Sequence, residues 1–397
     1  MPRALDTATG VILPLRPSTE QAGVSVYVCG ITPYDATHLG HAATYLAFDT
    51  LTRLWLDAGL DVRSVQNVTD VDDPLLERAT ATGVPWRSLA DDQIALFRSD
   101  MELLRIIPPT HFAGVSEYIP EIGSAVAELV EAGLGYTVDE DVYFDAIAAE
   151  GDAWRLGSES GLDPAAMTAL SAERGGDPDR PGKRHPLDPL LWRARREGEP
   201  HWDSAVGPGR PGWHIECAEI ARHLLGSPIT VQGGGSDLAF PHHEFTAAHI
   251  AALTGERLAH AFVHTGMVAF EGEKMSKSLG NLVLVSTLAA SGTDPRALRL
   301  ALLAQHYRED WEWTPTLLTA AERRLATWDA WASGGVTGDD LAFVDTLRAL
   351  VADDLGTPRA VDAIDSHIAE SPPSAVVLDA IDALLGIRLA VPRDRTG

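Results

Sequence analysis

The sequence predicts an α/β protein: a split, Rossmann-like parallel sheet with an inserted connective segment, followed by a C-terminal helical bundle. Three observations carry this. A strand–loop–helix–strand pattern opens the chain. The same alternation returns after a long stretch rich in Gly, Pro, Asp and Arg. From Pro295 onward the apolar residues recur at helical spacing.

The elements follow in order. Val24–Cys29 (VSVYVC) is β-branched and aromatic, as a buried strand requires. Gly30–Gly40 is turn-rich, and His41–Ala58 carries Leu46, Phe48, Leu51, Leu54 and Trp55 on one helical face. Val62–Val68 is the next strand and runs into the acidic turn TDVDDP. Helical patterns cover Arg87–Gly133. Asp145–Pro200, with the loop Glu173–Pro178 (ERGGDP), reads as an insertion with mobile parts. The α/β pattern resumes with helix Trp213–Leu225, strand Ile229–Gln232, helix His242–Leu253 and strand Phe262–Phe270. Breaks near Gly334, Gly356 and Pro372 divide the helical tail. The expected organisation is a catalytic domain over 1–285, interrupted at about 90–200, and a bundle over 286–397.

Composition excludes several classes. Only two cysteines occur, Cys29 and Cys217, so no disulfide framework is present and a reducing compartment, the cytoplasm, is expected. No apolar run is long enough to span a bilayer, and the N-terminus lacks the apolar core of a signal peptide. The formal charge of −26 repels polyanions, so no nucleic-acid partner is expected. Monomers are favoured over oligomers.

Two short motifs carry chemistry. His38-Leu39-Gly40-His41 falls between the first strand and first helix, where a helix N-terminus and two imidazoles meet a phosphate. The chain has three lysines, Lys183, Lys274 and Lys277, and two of them lie in the pentapeptide KMSKS at 274–278. An otherwise arginine-based chain has kept two mobile point charges there, which suits a moving polyphosphate better than a rigid guanidinium fork.

HLGH with KMSKS resembles the signature pair of the class I aminoacyl-tRNA synthetases. The resemblance implies ATP, with Mg²⁺, as a substrate, and His38, His41, Lys274 and Lys277 stabilising its phosphates during adenylate formation. YVCGIT at 27–32, NVTDVDD at 67–73, GRPGWHIEC at 209–217, GGGSDL at 233–238 and FPHHE at 240–244 sharpen the match to cysteinyl-tRNA synthetase over roughly residues 20–330. That family holds one zinc ion per chain. Carried onto this sequence, its ligands are Cys29, Cys217 and His242, and the ion selects cysteine through its thiolate. The family's fourth ligand is a glutamate where this chain has Thr246, so three ligands and an open position are expected. The resemblance also implies adenylate and cysteine contacts at Cys29, Gly30, Ile31, Thr32, Thr44, Asn67, Val68 and Thr69. Trp213 would shape the cysteine pocket, Gly235, Ser236 and Asp237 the ribose turn, and Val268 the adenine contact, with Lys277 at the phosphates.

The acceptor is expected to be small. The last hundred residues are acidic, contain no lysine and show no basic–aromatic stripe, and the chain ends soon after its helical bundle. ERGGDP, ITPYD at 31–35 and Thr246 resemble the mycothiol-ligase branch of the family. That branch joins cysteine to the amine of glucosaminyl-inositol with release of AMP. A truncated tRNA synthetase and a non-catalytic paralogue are the alternative readings.

Overall fold

A computed structural model describes residues 1–17, 23–34, 37–275, 280–335 and 339–389. A hairpin, β1 (Arg3–Asp6) and β2 (Val11–Pro14), precedes the first sheet strand, β3 (Val24–Ile31). The chain continues through α1 (Leu39–Asp57), β4 (Val62–Val68), α2 (Asp73–Thr82), α3 (Trp86–Leu103), β5 (His111–Gly114) and α4 (Ile119–Glu131). An insertion follows, with β6 (Gly135–Val138), β7 (Asp141–Phe144), α5 (Pro164–Glu173), β8 (Leu190–Ala194) and β9 (Gly209–Pro211). The second half adds α6 (Trp213–Leu225), β10 (Ile229–Gly235), α7 (Glu244–Thr254) and β11 (Ala259–Thr265).

The main sheet has the order β11-β10-β3-β4-β5, and every pairing in it is parallel. The chain runs outward from β3 on one side, then returns to build β10 and β11 on the other. The strand order reverses between β3 and β10, which opens the ligand crevice of a doubly wound sheet at their carboxyl ends. Alternation along β3 sorts side chains to two faces. Val24, Val26 and Val28 join the core against α1, whereas Tyr27 and Cys29 join the core against α4, α6 and α7.

The remaining elements are β12 (Val268–Phe270), β13 (Glu273–Lys274), α8 (Val285–Ala290), α9 (Pro295–Leu303), β14 (Trp311–Glu312), α10 (Pro315–Ala332), α11 (Leu341–Ala352), α12 (Thr357–Glu370) and α13 (Ala375–Leu385). The helices α9 to α13 share the α1-side core through Leu298, Leu325, Trp328, Leu347, Ile364 and Ile381. A buried ionic cluster fastens them. Asp49 of α1 accepts from Arg53 Nε at 2.7 Å, from Arg299 of α9 and from the Ile107 amide at 2.8 Å. Arg299 also donates to the carbonyls of Leu385 and Leu104.

Two readings of the sequence are corrected. The stretch Arg87–Gly133 is not continuously helical, because β5 crosses it as an edge strand beside β4. Phe262–Phe270 is not one strand: β11 ends at Thr265, and β12 belongs to a separate sheet with β13 and β14. Gly266 turns the chain between them, where a Cβ would lie 2.1 Å from the Glu309 carbonyl oxygen. The insertion is an antiparallel sheet, β6-β7-β8-β9, and its polar loops are tied down. Its strands are three to five residues long, too short for periodicity to reveal them. The Lys183 side chain is tucked in and holds Asp177 at 2.9 Å. Glu244 of α7 accepts from Trp154 Nε1 and from the amides of Gly157, Glu159 and Ser160, which fixes a second loop of the insertion.

Candidate active site

The carboxyl end of β3 is shaped by a register shift between Val28 and Ile31. Such a bulge re-aims one side chain, here Cys29. Gly30 is required beside it: a Cβ there would lie 1.5 Å from the Asn67 carbonyl oxygen. Asn67 locks the turn, its Oδ1 accepting from the Gly30 amide at 2.9 Å and its Nδ2 donating to Thr69 Oγ1 at 3.3 Å. The Thr69 amide donates to the Ile31 carbonyl at 3.0 Å. Tyr45 donates to the Cys29 carbonyl, and Thr44 and Thr265 share a hydroxyl hydrogen bond of 2.8 Å.

Cys29 meets Cys217 of α6 and His242 across the crevice. The three donor atoms lie within 4.8 Å of one another, and all three residues are buried. The sulfurs are 3.9 Å apart, and His242 Nε2 is 3.3 Å from the Cys217 sulfur. Two thiols and one imidazole, within reach of a common centre and shielded from water, fit a soft divalent ion such as zinc. Burial raises both thiols. In Cys217 the Cys29 hydrogen bond and the His242 imidazole outweigh it and hold the thiol well below its ordinary range, while Cys29 stays well above.

The surroundings support this donor set. Gln232 Nε2 donates to the Cys29 sulfur at 3.3 Å, and His243 Nε2 is 3.2 Å from it. His243 Nδ1 contacts His264 at 2.7 Å, and His264 in turn contacts Thr7 at 2.7 Å. Burial, with neighbouring imidazoles, drives His243 and His214 well below the ordinary imidazole value, and burial lowers His264 to about 4. The cluster is therefore neutral near pH 7 and sets no positive charge against a bound cation. Trp213, at the start of α6, stacks on His242 with centroids 4.2 Å apart. Thr246 turns away: its hydroxyl donates to the His242 carbonyl at 2.7 Å, one turn back along the chain.

The histidine loop connects β3 to α1. His38 caps α1 by accepting from the Gly40 amide at 3.1 Å, and the His38 and His41 rings sit 4.0 Å apart. A Cβ on Gly40 would fall 2.8 Å from the His38 ring, so a side chain there would push the imidazole from its capping position. The chain following the lysine pentapeptide is hydrogen-bonded to this loop. Leu39 N donates to Val283 O at 3.0 Å, Val285 N to Thr37 O at 3.4 Å, and His38 bridges Leu284. Lys274 lies in β13, paired with Ala269 of β12, and the buried Val268 begins β12. Lys277 lies outside the described residues.

Gly235 ends β10, and Ser236 and Asp237 form a short 3₁₀ turn beside it. Arg174, from the ERGGDP loop, donates to the carbonyls of Asp237 and Phe240, so the insertion braces this turn. Thr32 and Trp213 line the cleft next to it. Sequence reasoning missed His243, Gln232 and Arg174. The doubled histidine at 242–243 and the ERGGDP loop at 173–178 are the signals that pointed near His243 and Arg174.

A parallel sheet with a capped helix at its switch point, joined by backbone pairing to the segment that follows a lysine pentapeptide, is the layout of a nucleotide-dependent synthetase. Residues 15–323 match the model for the catalytic domain of class I (C) tRNA synthetases, and the chain belongs to that family. It is similar to solved structures at the level of fold. These include a methionyl-tRNA synthetase from Mycobacterium tuberculosis with methionyl-adenylate, at TM-score 0.58 and 20% identity, covering 88% of this chain and 82% of that one. A leucyl-tRNA synthetase from Agrobacterium radiobacter matches with TM-score 0.62 and 12% identity, over 93% of this chain and 83% of that one. Curated relatives are far more similar. A protein of Clavibacter sepedonicus named L-cysteine:1D-myo-inositol 2-amino-2-deoxy-alpha-D-glucopyranoside ligase is 61% identical over 98% of this chain and 99% of its own. The protein of the same name from Streptomyces avermitilis is 56% identical over 98% and 95%. No described helix is long and apolar enough to cross a membrane.

Proposed function

We propose that this chain ligates L-cysteine to the amine of glucosaminyl-inositol, the amino sugar of its relatives' name, with ATP converted to AMP and pyrophosphate. The near-full-length identity of up to 61% to ligases of that name carries the reading. The reaction is a step of mycothiol biosynthesis, and we place it in the cytoplasm, performed by a monomer.

The chemistry has two half-reactions. A cysteine carboxylate oxygen attacks the α-phosphorus of Mg-ATP, and the bond to pyrophosphate breaks. The acceptor's neutral amine then attacks the carbonyl carbon of the cysteinyl adenylate, an amide forms, AMP leaves and the amine gives up a proton. His38, His41, Lys274 and Lys277 offset the charge that builds on the departing pyrophosphate. Little covalent help is needed in such a transfer, and positioned charge supplies most of the acceleration. The pairing of Thr37–Leu39 with Val283–Val285 supports this assignment, since it brings the chain that follows the lysine pentapeptide to the histidine loop. Asp237 takes the ribose hydroxyls with Gly235 and Ser236, and Val268 lies against the adenine. Gly30, Ile31, Thr32, Asn67 and Val68 shape the backbone around cysteine, while Thr44 and Thr69 take its polar groups and Trp213 walls its pocket.

Cys29, Cys217 and His242 hold a zinc ion, which supplies a soft Lewis acid for the substrate thiol. Serine, with a harder oxygen, is the analogue this selects against. The His242 carbonyl, held by Thr246, and the neutral imidazoles of His214, His243 and His264 keep the ligand side chains in place.

The test supplies purified protein, cysteine and ATP with each acceptor in turn. Amide forms on glucosaminyl-inositol with modest salt dependence, and tRNA neither accepts cysteine nor competes. Efficient cysteinylation of tRNA with no amide on the sugar would overturn the acceptor assignment and leave the adenylation chemistry standing.

A further inference from the structure

The acceptor's binding site is not assigned by anything above. A cavity of about 740 Å³ opens between the insertion and the main sheet, within the usual range of about 300–1,000 Å³ for small-molecule sites. Trp213 and His214, both against His242, line it together with Asp237, while His38 and His41 do not. An adenylate with its cysteine at the Cys29–Cys217–His242 group and its one phosphate toward the histidine loop would turn its cysteinyl carbonyl toward this cavity. An incoming amine has this route to the carbonyl carbon.

The wall chemistry narrows the ligand class. Cationic and acidic side chains line the cavity in equal number, and most are already paired. Asp73 is taken by Arg193 at 3.2 Å and by Arg210. Asp177 is taken by Lys183 and by the Tyr143 hydroxyl. Glu173 is exposed at the rim. A neutral lining of fixed donors and acceptors suits a polyhydroxyl molecule and gives a polyanion nothing to bind. Asp72 differs from its neighbours. One of its oxygens caps α2 by accepting from the Asp73 amide at 2.8 Å. Among the described residues it makes no ion pair, and its other oxygen has no hydrogen-bond partner. A half-buried carboxylate with one oxygen spare, on the wall of a neutral cavity, is a receptor for a single ammonium group.

We propose that this cavity binds the amino-sugar acceptor and that Asp72 holds its amino group, which arrives as ammonium and gives up one proton to solvent, so that the neutral nitrogen sits beside the adenylate carbonyl and attacks it. The proposal rests on the acceptor reading given above. It assigns Asp72 to binding the acceptor and not to adenylation.

Asp72→Asn is the discriminating variant. Asparagine caps helices as well as aspartate does, so α2 keeps its first turn while the charge is removed. Three quantities are read for wild type and variant: cysteine-dependent ATP–pyrophosphate exchange, KM and kcat for glucosaminyl-inositol, and the inhibition constant of glucosyl-inositol, in which a hydroxyl replaces the amine. A charge-assisted hydrogen bond corresponds to a KM rise of about tenfold or more. Exchange and the inhibition constant should each stay within about twofold, the precision of such comparisons. An unchanged KM overturns the proposal, and so does a parallel loss of exchange or of glucosyl-inositol binding, since either signals general distortion. Wild-type protein that exchanges pyrophosphate but forms no amide would instead refute the acceptor itself.

Discussion

Replacing Asp49 by asparagine probes the junction between the crevice-forming helix α1 and the C-terminal helices. The wild-type carboxylate accepts from Arg53, Arg299 and the Ile107 amide. Arg299 is almost completely buried, and Asp49 is the one acidic partner among its described contacts. Asparagine keeps the shape but removes the charge, and it turns one acceptor into a donor facing two guanidinium groups. Removing one partner of a buried ion pair typically costs about 3–5 kcal/mol, because the remaining charge is left uncompensated. With an unfolding entropy of about 2.1 cal/mol/K per residue, a chain of 397 residues has roughly 0.8 kcal/mol/K. The expected loss is therefore about 4–6 °C in Tm if the molecule unfolds as one unit. Scanning calorimetry and urea unfolding measure it, and ATP–pyrophosphate exchange at 20 °C checks that the crevice survives. A Tm change below about 1 °C with an unchanged urea slope would refute the argument that this cluster clamps α1 to α9 and α13.

Three further outcomes are expected. Elemental analysis of freshly purified protein should find one zinc per chain; Cys217→Ser should lose it and Thr246→Ala should retain it, and equal loss in both would make Thr246 a ligand. Lys277→Ala should slow ATP–pyrophosphate exchange by about a hundredfold or more, the effect of removing one transition-state charge at about 3 kcal/mol, while its unfolding temperature stays put; near-normal exchange would remove the lysine loop from the chemistry. His249 is buried and burial lowers it to about 3, so the unfolded chain binds its proton first, near pH 6.5. Its contribution to stability is intact above that value and is lost as pH falls toward 3, at up to about 1.4 kcal/mol per pH unit. Urea unfolding of wild type and His249→Leu between pH 6 and 4.5 should differ in slope by about that amount, and identical slopes would contradict the assignment.

Much of this protein was legible before folding. Val24–Cys29, Val62–Val68 and Trp213–Leu225 carry strong periodic or β-branched patterns, and they appear as β3, β4 and α6. The phosphate motifs were legible because each is local: HLGH needs only a strand, a turn and a helix start. Thr37–Leu39 and Val283–Val285, by contrast, meet only because β12 and α8 return to the mouth of the crevice. The short strands β5 and β6 to β9 left no usable signal, since a four-residue strand shows at most two turns of alternation.

The sequence by itself determined the α/β class, the two motifs and, through family resemblance, the chemistry of Cys29, Cys217 and His242. Tertiary structure alone decided that Gln232 and His243 touch the Cys29 sulfur, that Thr246 spends its hydroxyl on the His242 carbonyl, that Arg174 braces the Asp237 turn, and that Asp72 faces a cavity with an oxygen to spare. The division has a physical reason. Local pattern encodes what a residue does to its own helix or strand, through sterics, capping and periodic burial. Contacts between β3, α6 and α7 join residues about two hundred positions apart. Those contacts are set by strand order and by which face of β3 each side chain occupies, and neither is written at any single position in the chain.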